Sequence, residues 1–259
     1  MGLENDMLRR IIARLNGIER QHGVRVLYAC ESGSRAWGMA SEDSDFDVRF
    51  IYAHEREWYL TINPDSKPDV IDAGIEESSD GILDCNGWDV RKSLKLLQKS
   101  NGGLLEWLNS PIVYKSEGSF ADDVRFAATQ IVSLTALWHH YRHLRDNSLE
   151  LFLRRPTAKV WLYALRPQLA MLWIEKKQTI PPMEFLALVD SVCPKTLHVA
   201  VAAILEAKRG HKESDHVFAP EPALEEFINM EKARGNIAPL VSFDKNAVDL
   251  DLIFRNAIK

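Results

Sequence analysis

The chain has 259 residues, of which 46% are hydrophobic and 27% are charged, and its formal net charge is −5. This composition excludes a disordered chain, and the lack of any long apolar run excludes a protein that crosses the membrane through such runs. The negative charge argues against non-specific binding of long nucleic acid, although a local basic groove is compatible with it.

The start of the chain and its cysteines favour a cytoplasmic protein. The first twenty residues alternate charged and apolar side chains at helical spacing and lack the basic and apolar regions of an export signal. Cys30, Cys85 and Cys193 are odd in number and widely separated, which argues against a disulfide framework and a zinc site. We therefore expect a cytoplasmic protein whose cysteines are reduced and buried.

A helix followed by several strands is predicted in the first part of the chain. Apolar residues at helical spacing predict a helix over Leu3–Gln21 that packs on a sheet. Runs of branched and aromatic residues predict strands at residues 24–30, 46–52, 69–75 and 82–90. In the last of these, Asn86-Gly87 predicts an interruption by a turn or a bulge.

From Arg91 onward the pattern is almost entirely helical, apart from a short possible strand at residues 111–114. Long helices are expected over Phe120–Leu144 and from the capping residue Thr157 to Lys177, the second kinked at Pro167. Further helices are expected at Pro182–Val192, Pro194–Arg209, Pro222–Ala233 and Lys245–Ala257. The expected fold class is α/β (α+β): a small mixed β-sheet flanked by helices over residues 1–116, followed by an all-helical domain over residues 117–259.

Two acidic residues open the predicted strand "DFDVRFIY". Alternation along a strand places Asp45 and Asp47 on one face, and two like charges so close are unfavourable without a cation. Magnesium ions prefer oxygen ligands and are commonly held by one or two carboxylates together with substrate phosphates. The pair is thus a candidate metal site, although the same string also occurs on ordinary protein surfaces.

A Gly-Ser turn precedes this pair by ten intervening residues. Gly33 and Ser34 follow a predicted strand and are expected to begin a short helical turn, whose backbone N–H groups and hydroxyl suit phosphate oxygens. An ordinary glycine turn between two strands is the alternative. The combination of strand, Gly-Ser turn and Asp-x-Asp strand favours a joint role in binding a nucleotide and a metal.

The "GS" and "DFD" strings together resemble the signature of the polymerase-β-type nucleotidyltransferase superfamily. The strings "ESGSRAWG", "SDFDVRFIY", "GWDVRKSLKLL", "LLEWLNSPIVY", "VWLYALRPQLA" and "PPMEF" are similar to its RlaP-like, RNA-ligase-associated branch, over residues 24–186. The resemblance implies that Gly33 and Ser34 bind the phosphates of a nucleoside triphosphate (NTP), that two Mg²⁺ or Mn²⁺ ions bind the acids, and that the helical domain closes the nucleotide cleft.

The same resemblance implies a third carboxylate on a neighbouring strand. Asp89 is favoured because it lies between Trp88 and Val90 in "WDV", and Asp72 and Asp84 are its competitors. The expected metal ligands and catalytic residues are therefore Asp45, Asp47 and Asp89.

Several cationic side chains are candidates for binding the triphosphate. Lys159, Tyr163 and Arg166 share one face of a predicted helix, where they would contact phosphates or the base, or else be ordinary surface and core residues. Arg35 follows the Gly-Ser turn and would contact the triphosphate or pair with Glu42 or Asp43. Arg49 shares the face of the acidic pair and would neutralise it or contact substrate.

The expected function is transfer of a nucleoside monophosphate from an NTP to an acceptor hydroxyl, with release of pyrophosphate. RNA ends, proteins and small molecules all remain open as acceptors. The alternatives are a catalytically idle nucleotide sensor or antitoxin-like regulator that uses the same pocket, and a two-metal phosphate-ester hydrolase. A zinc site at His139 and His143 is disfavoured because no further ligand lies at a fixed offset.

Overall fold

The computed structural model of the chain describes residues 2–41, 43–63, 66–78, 81–210, 218–234 and 247–259. Its contacts divide the chain into two compact units. The first comprises Met1–Ala36, Ser44–Val132 and Phe243–Lys259, and the second comprises Trp37–Asp43 and Ser133–Ser242. Each unit is therefore assembled from segments that are separate in the sequence.

The helices and strands follow in chain order. They are α1 (Gly2–His22), β1 (Val24–Glu31), α2 (Gly33–Ala36), β2 (Phe46–His54), α3 (Arg56–Tyr59), β3 (Val70–Ser78), β4 (Gly81–Asp89), α4 (Val90–Gln98), α5 (Gly102–Leu108), β5 (Val113–Ser116), α6 (Phe120–Ile131), α7 (Leu134–Arg154), α8 (Ala158–Lys177), α9 (Phe185–Val192), α10 (His198–Gly210), α11 (Pro222–Ala233) and α12 (Leu250–Ala257). The mixed α+β class predicted from the sequence is confirmed.

A five-stranded mixed sheet forms the centre of the first unit, with the strand order β3-β4-β2-β1-β5. The central neighbours β2 and β4 run parallel, and the other neighbouring strands pair antiparallel. Because parallel strands enter a sheet at the same edge, residues near the starts of β2 and β4 lie side by side.

The hydrophobic core of the first unit lies between α1 and the sheet. The apolar side chains of α1 that are buried recur at helical spacing, as expected for a helix with one face on a sheet: Met7, Ile11, Leu15 and Ile18. They join a cluster with buried strand residues that include Val26, Val48 and Phe50. Burial of each such side chain contributes about 1.5–3 kcal/mol, which explains why this helix packs as predicted.

The predicted interruption of β4 at Asn86-Gly87 is wrong. Both residues lie in an unbroken ladder with β2, where Gly87 pairs with Phe50. A Cβ atom on Gly87 would lie 2.1 Å from a ring carbon of Phe50, so glycine here admits a neighbouring aromatic ring rather than a turn. The irregularity lies instead in the edge strand β3, where the register shifts between Asp72 and Ile75.

The single helix predicted over Phe120–Leu144 is divided into α6 and α7. The chain is extended at Val132, and the hydroxyl of Ser133 caps α7 by accepting a hydrogen bond of 3.2 Å from the N–H of Ala136. A serine at this position satisfies an otherwise unpaired N–H of the first helical turn, and it thereby favours a new helix over a continuous one.

Helix α8 begins as predicted. The side chain of Thr157 accepts a hydrogen bond from Val160 N, and the helix continues through Pro167 to Lys177. The expected kink at Pro167 stays a prediction.

The later helices differ from the predictions mainly at their starts. Helix α9 begins at Phe185, a short 3₁₀ turn at Lys195–Leu197 precedes α10, and α11 has the predicted bounds. Helix α12 begins at Leu250, and residues 245 and 246 of the predicted helix lie outside the described residues.

Two helices expected in the second domain, α6 and α12, lie within the first unit. The roles given to residues 1–116 and 117–259, catalysis and closure of a nucleotide cleft, stay predictions. All three cysteines are free and buried, as expected. No helix within the described ranges is long and apolar enough to cross a membrane.

Candidate active site

The Gly-Ser turn approaches the second aspartate of the acidic pair very closely. Gly33 begins the one-turn helix α2 with a φ of +60°, a conformation that favours glycine. A Cβ atom on Gly33 would lie 2.2 Å from Oδ2 of Asp47, closer than any side chain could fit. The turn and the carboxylate of Asp47 thus lie directly against each other.

Backbone contacts hold this arrangement. The N–H of Ser32, the residue before Gly33, donates a hydrogen bond of 2.8 Å to the carbonyl of Asp47. Ser34 is buried, and Asp45 is exposed immediately before β2 begins. The start of β2 and the Gly-Ser turn are consequently tied together.

Arg35 stabilises the segment that leads into β2. Its guanidinium lies 3.7 Å from the ring centre of Phe46 and donates hydrogen bonds to the carbonyls of Ser44 and Asp45. It therefore holds the backbone beside the acidic pair, whereas the sequence suggested a triphosphate contact or an ion pair with Glu42 or Asp43. Glu42 lies outside the described residues.

Arg49 bridges two carboxylates at the edge of the sheet. Its Nη2 atom lies 3.0 Å from Oδ1 of Asp47 and 2.8 Å from Oδ2 of Asp84. Both carboxylates retain 30% exposure, so they are accessible from solvent. Arg49 therefore pairs with Asp47 in this structure, and Asp84 is the second acid at the same place.

The structure does not bring Asp89 together with Asp45 and Asp47. In the parallel register of β2 and β4, Asp47 is paired with Asp84, and Asp89 is paired with Tyr52. Five residues separate Asp84 from Asp89, which is roughly 16 Å along a strand.

The carboxylate of Asp89 is buried and forms hydrogen bonds within the fold. It is 0% exposed, and its carboxylate caps α4 by accepting a hydrogen bond of 2.8 Å from Arg91 N, with a second of 2.7 Å from the hydroxyl of Tyr59. Burial raises the pKa of this carboxyl, and the two hydrogen bonds oppose that shift. The other competitor, Asp72, lies exposed on β3, where it accepts a hydrogen bond from Gly74 N.

One buried acid of the site was missed by the sequence reasoning. Glu31, the last residue of β1, accepts a hydrogen bond of 2.8 Å from Asp47 N and another from the hydroxyl of Tyr114. Burial raises the pKa of its carboxyl to about 7, against the opposing effect of these hydrogen bonds. Its position directly before the Gly-Ser turn was the available signal.

The predicted helix-face residues lie in the second unit. Arg166 is only 2% exposed, donates two hydrogen bonds to the carbonyl of Met183, and lies 4.4 Å from the ring centre of Trp37. Tyr163 contacts the same Trp37 edge-on at 5.2 Å, and Lys159 lies 5.9 Å from the ring centre of Tyr163. These contacts give Arg166 a packing role, whereas Lys159 and Tyr163 are only half-buried.

The carboxylates fit a hard metal ion chemically. Among the residues that the structure describes, no group of three or more histidine, cysteine, aspartate or glutamate side chains is placed to hold a metal ion. Magnesium sites commonly use one or two protein carboxylates and complete the shell with water and phosphate oxygens. Arg49 supplies positive charge between Asp47 and Asp84, the charge that a divalent cation would also supply there.

Two known proteins are similar to this chain. YcgL of Bacillus subtilis (strain 168), described as an uncharacterized protein, is 41% identical over 231 residues, which cover 88% of this chain and 86% of YcgL. The solved nucleotidyltransferase-like protein from Exiguobacterium sibiricum 255-15 aligns with 76% of this chain and 73% of its own, at 11% identity. The TM-score of this alignment is 0.32.

The match to a family model establishes which family this chain belongs to. Residues 7–246 match the model of RlaP, described as the RNA repair pathway DNA polymerase beta family. This range contains the Gly-Ser turn, the acidic pair and all three helix-face candidates, and the match confirms the resemblance seen in the sequence. The chain belongs to the RlaP family of polymerase-β-type nucleotidyltransferases.

Proposed function

We propose that this chain is a metal-dependent nucleotidyltransferase that transfers a nucleoside monophosphate from an NTP to an acceptor hydroxyl. The observation that carries the proposal is the contact between the Gly-Ser turn and Asp47, where a Cβ atom on Gly33 would lie 2.2 Å from the carboxylate. A phosphate-binding turn beside a metal-binding acid is what transfer from a metal-bound triphosphate requires.

Asp47 and Asp84 are the proposed metal ligands, and Asp45, exposed immediately before β2, is carried forward from the sequence as a further candidate. The parallel register of β2 and β4 supports Asp84, because it places this residue directly beside Asp47. Bound Mg²⁺ or Mn²⁺ would stabilise the negative charge that develops on the transferred phosphate. Arg49 would exchange its contacts with the two acids for contacts with phosphate oxygens, since its planar guanidinium suits both partners.

The reaction forms one bond and breaks another. The acceptor oxygen attacks the α-phosphorus of the NTP and loses its proton, and the bond from the α-phosphorus to the bridging oxygen breaks so that pyrophosphate leaves. Gly33 and Ser34 are proposed to hold the phosphates through the turn. Lys159 and Tyr163, half-buried in the second unit, are carried forward as candidate nucleotide contacts.

An RNA end is the proposed acceptor. The support is the description of the matched family, which refers to an RNA repair pathway. The net charge of −5 gives no independent support, so the acceptor must be identified by experiment.

The test uses the purified chain with Mg²⁺ and each of the four α-labelled NTPs, with RNA that carries a free 3′-hydroxyl or with no acceptor. We expect label on the RNA together with release of pyrophosphate. Nucleotide binding without transfer of label would instead support the sensor, and release of inorganic phosphate from esters would support the hydrolase.

Three matched substitutions test the assignment of the acids. We expect Asp47→Asn and Asp84→Asn to reduce transfer more than about 100-fold, because metal coordination contributes several kcal/mol to such reactions. Asp89→Asn, on the same strand as Asp84, serves as the control and should retain transfer. Full activity in Asp84→Asn, or loss of activity in Asp89→Asn with an unchanged fold, would reject Asp84 as a ligand.

A further inference from the structure

Glu31 is a fully buried acid that contacts the backbone of the proposed metal ligand Asp47. It is 0% exposed, and its two carboxylate oxygens accept hydrogen bonds from Asp47 N and from the hydroxyl of Tyr114. Burying a carboxylate is unfavourable unless its oxygens are paired in this way. An apolar residue at the end of β1 would avoid that penalty, so the acid calls for a specific explanation.

The place of Glu31 in the sheet explains why an acid is present at the end of β1. The paired register of β1 and β2 ends where Glu31 faces Val48, because the chain then leaves the strand to form the Gly33 turn. The side chain of Glu31 serves as acceptor for the N–H of Asp47 at this point. Ser32 N donates to the carbonyl of Asp47, so both backbone groups of Asp47 are held by the two residues before Gly33.

Glu31 is itself fixed from the opposite side. The hydroxyl of Ser110 donates a hydrogen bond of 2.6 Å to the Glu31 carbonyl, and Glu31 N donates one of 2.9 Å to the carbonyl of Ile112. Tyr114 of β5 holds its second carboxylate oxygen. The side chain therefore transmits the position of β5 and β1 to the first residues of β2.

We propose that Glu31 is a positioning residue that sets the carboxylate of Asp47 against the Gly33 turn, and through it the affinity for the metal and its nucleotide. This inference rests on the proposed function, since it concerns the same site. Glu31 acts through the backbone of Asp47 and touches neither substrate nor metal. Residues that orient metal ligands in this way typically contribute about 10–100-fold to metal affinity.

Two substitutions of similar size test the proposal. Glu31→Met removes the acceptor and keeps the volume, and replacement of a buried charge by a packed apolar residue often leaves a protein folded. Glu31→Gln keeps an oxygen that can accept from Asp47 N. The measurements are hydrogen exchange of the Asp47 amide by NMR, and binding of Mn²⁺ with a non-hydrolysable ATP analogue by electron paramagnetic resonance.

In Glu31→Met we expect the Asp47 amide to exchange at least about tenfold faster and Mn²⁺ to bind at least about tenfold more weakly. Glu31→Gln should stay within about threefold of wild type in both measurements. Wild-type Mn²⁺ affinity in Glu31→Met, with the Asp47 amide deprotected, would overturn the proposal. Weak Mn²⁺ binding in Glu31→Gln with a protected amide would also overturn it, because affinity would then follow the charge.

Tyr114→Phe keeps the test decisive if Glu31→Met does not fold. It loosens Glu31 by removing the second partner of its carboxylate, so the Asp47 amide should exchange faster and Mn²⁺ should bind more weakly, each by a smaller factor than expected for Glu31→Met. Loss of Mn²⁺ affinity with a protected amide would refute positioning. Failure of the wild-type chain to bind Mn²⁺ and nucleotide at all would instead refute the proposed function.

Discussion

Replacing Gly33 by alanine is the sharpest perturbation of the proposed site. The substitution adds one methyl group at a position where the backbone has a φ of +60° and where the new Cβ atom would lie 2.2 Å from Oδ2 of Asp47. Ordinary contacts begin near 3.4 Å, so the carboxylate must move by about 1 Å. The added group therefore acts on a metal ligand without changing any polar residue.

Two effects of different size follow. The left-handed backbone conformation costs alanine about 1–2 kcal/mol relative to glycine. For a chain of this length that lowers the melting temperature by about 2–8 °C, which leaves the fold intact. Displacement of a reacting group by 1 Å costs about 100-fold in rate, so the catalytic effect should far exceed the effect on stability.

Gly23→Ala is the matched control. Gly23 has the same φ of +60°, but no atom lies within 4 Å of the position its Cβ would take. Both variants should show similar shifts in thermal unfolding, and only Gly33→Ala should lose nucleotidyl transfer and Mn²⁺ affinity. If Gly33→Ala retained wild-type transfer, or if Gly23→Ala lost it equally, the contact with Asp47 would not be the cause.

Three further predictions concern residues outside the proposed metal site. Asp89→Ala should destabilise the fold by about 2–4 kcal/mol in urea unfolding, because it removes a helix cap and the acceptor for the buried hydroxyl proton of Tyr59. The Mn²⁺ affinity of the folded protein should stay unchanged. Arg166→Met should lower stability by about 2 kcal/mol through loss of its hydrogen bonds to Met183, and normal stability would contradict a packing role. Burial lowers the pKa of His54 to about 4, so the unfolded chain binds a proton first and stability should fall as the pH drops from about 6.5 to about 4. NMR titration of the ring checks this pKa, and His54→Phe should show a shallower loss of stability over that range.

Features determined by neighbouring residues could be predicted from the sequence. Helix α1, strands β1 and β2 and the Gly-Ser turn were predicted because apolar spacing and turn chemistry act over a few residues. The Thr157 cap is local in the same sense. A joint role for the Gly-Ser turn and the acidic pair was also predicted, but the close contact between Gly33 and Asp47 was not.

Glu31 was not predicted as a residue of the site, because its partners are distant in the sequence. Its partners are Asp47 N, 16 residues away, and the hydroxyl of Tyr114, 83 residues away. An acid at the end of an apolar strand has the same local pattern whether it is solvated or buried. Only the pairing of β1 with β2 on one side and β5 on the other decides between them. The break between α6 and α7 could have been predicted from the local sequence, because serine is a common helix-capping residue and Ser133 caps α7.

The choice between Asp84 and Asp89 shows that the local sequence pattern does not contain the strand register. Both are acids on β4 flanked by apolar residues, so composition does not separate them. Strand register separates them, because a shift of one residue moves every side chain to the other face, and a shift of five moves a carboxylate roughly 16 Å along the sheet. The pairing of Asp47 with Asp84, and the single nitrogen of Arg49 that contacts both, place the compensating charge between these two acids. A metal ion can bind between these two carboxylates only if the Arg49 guanidinium moves away from them. Arg49→Ala should therefore remove this positive charge from between the two acids and raise the affinity of the nucleotide-free protein for Mn²⁺. Unchanged or weaker Mn²⁺ binding in a titration would refute this interpretation of the site.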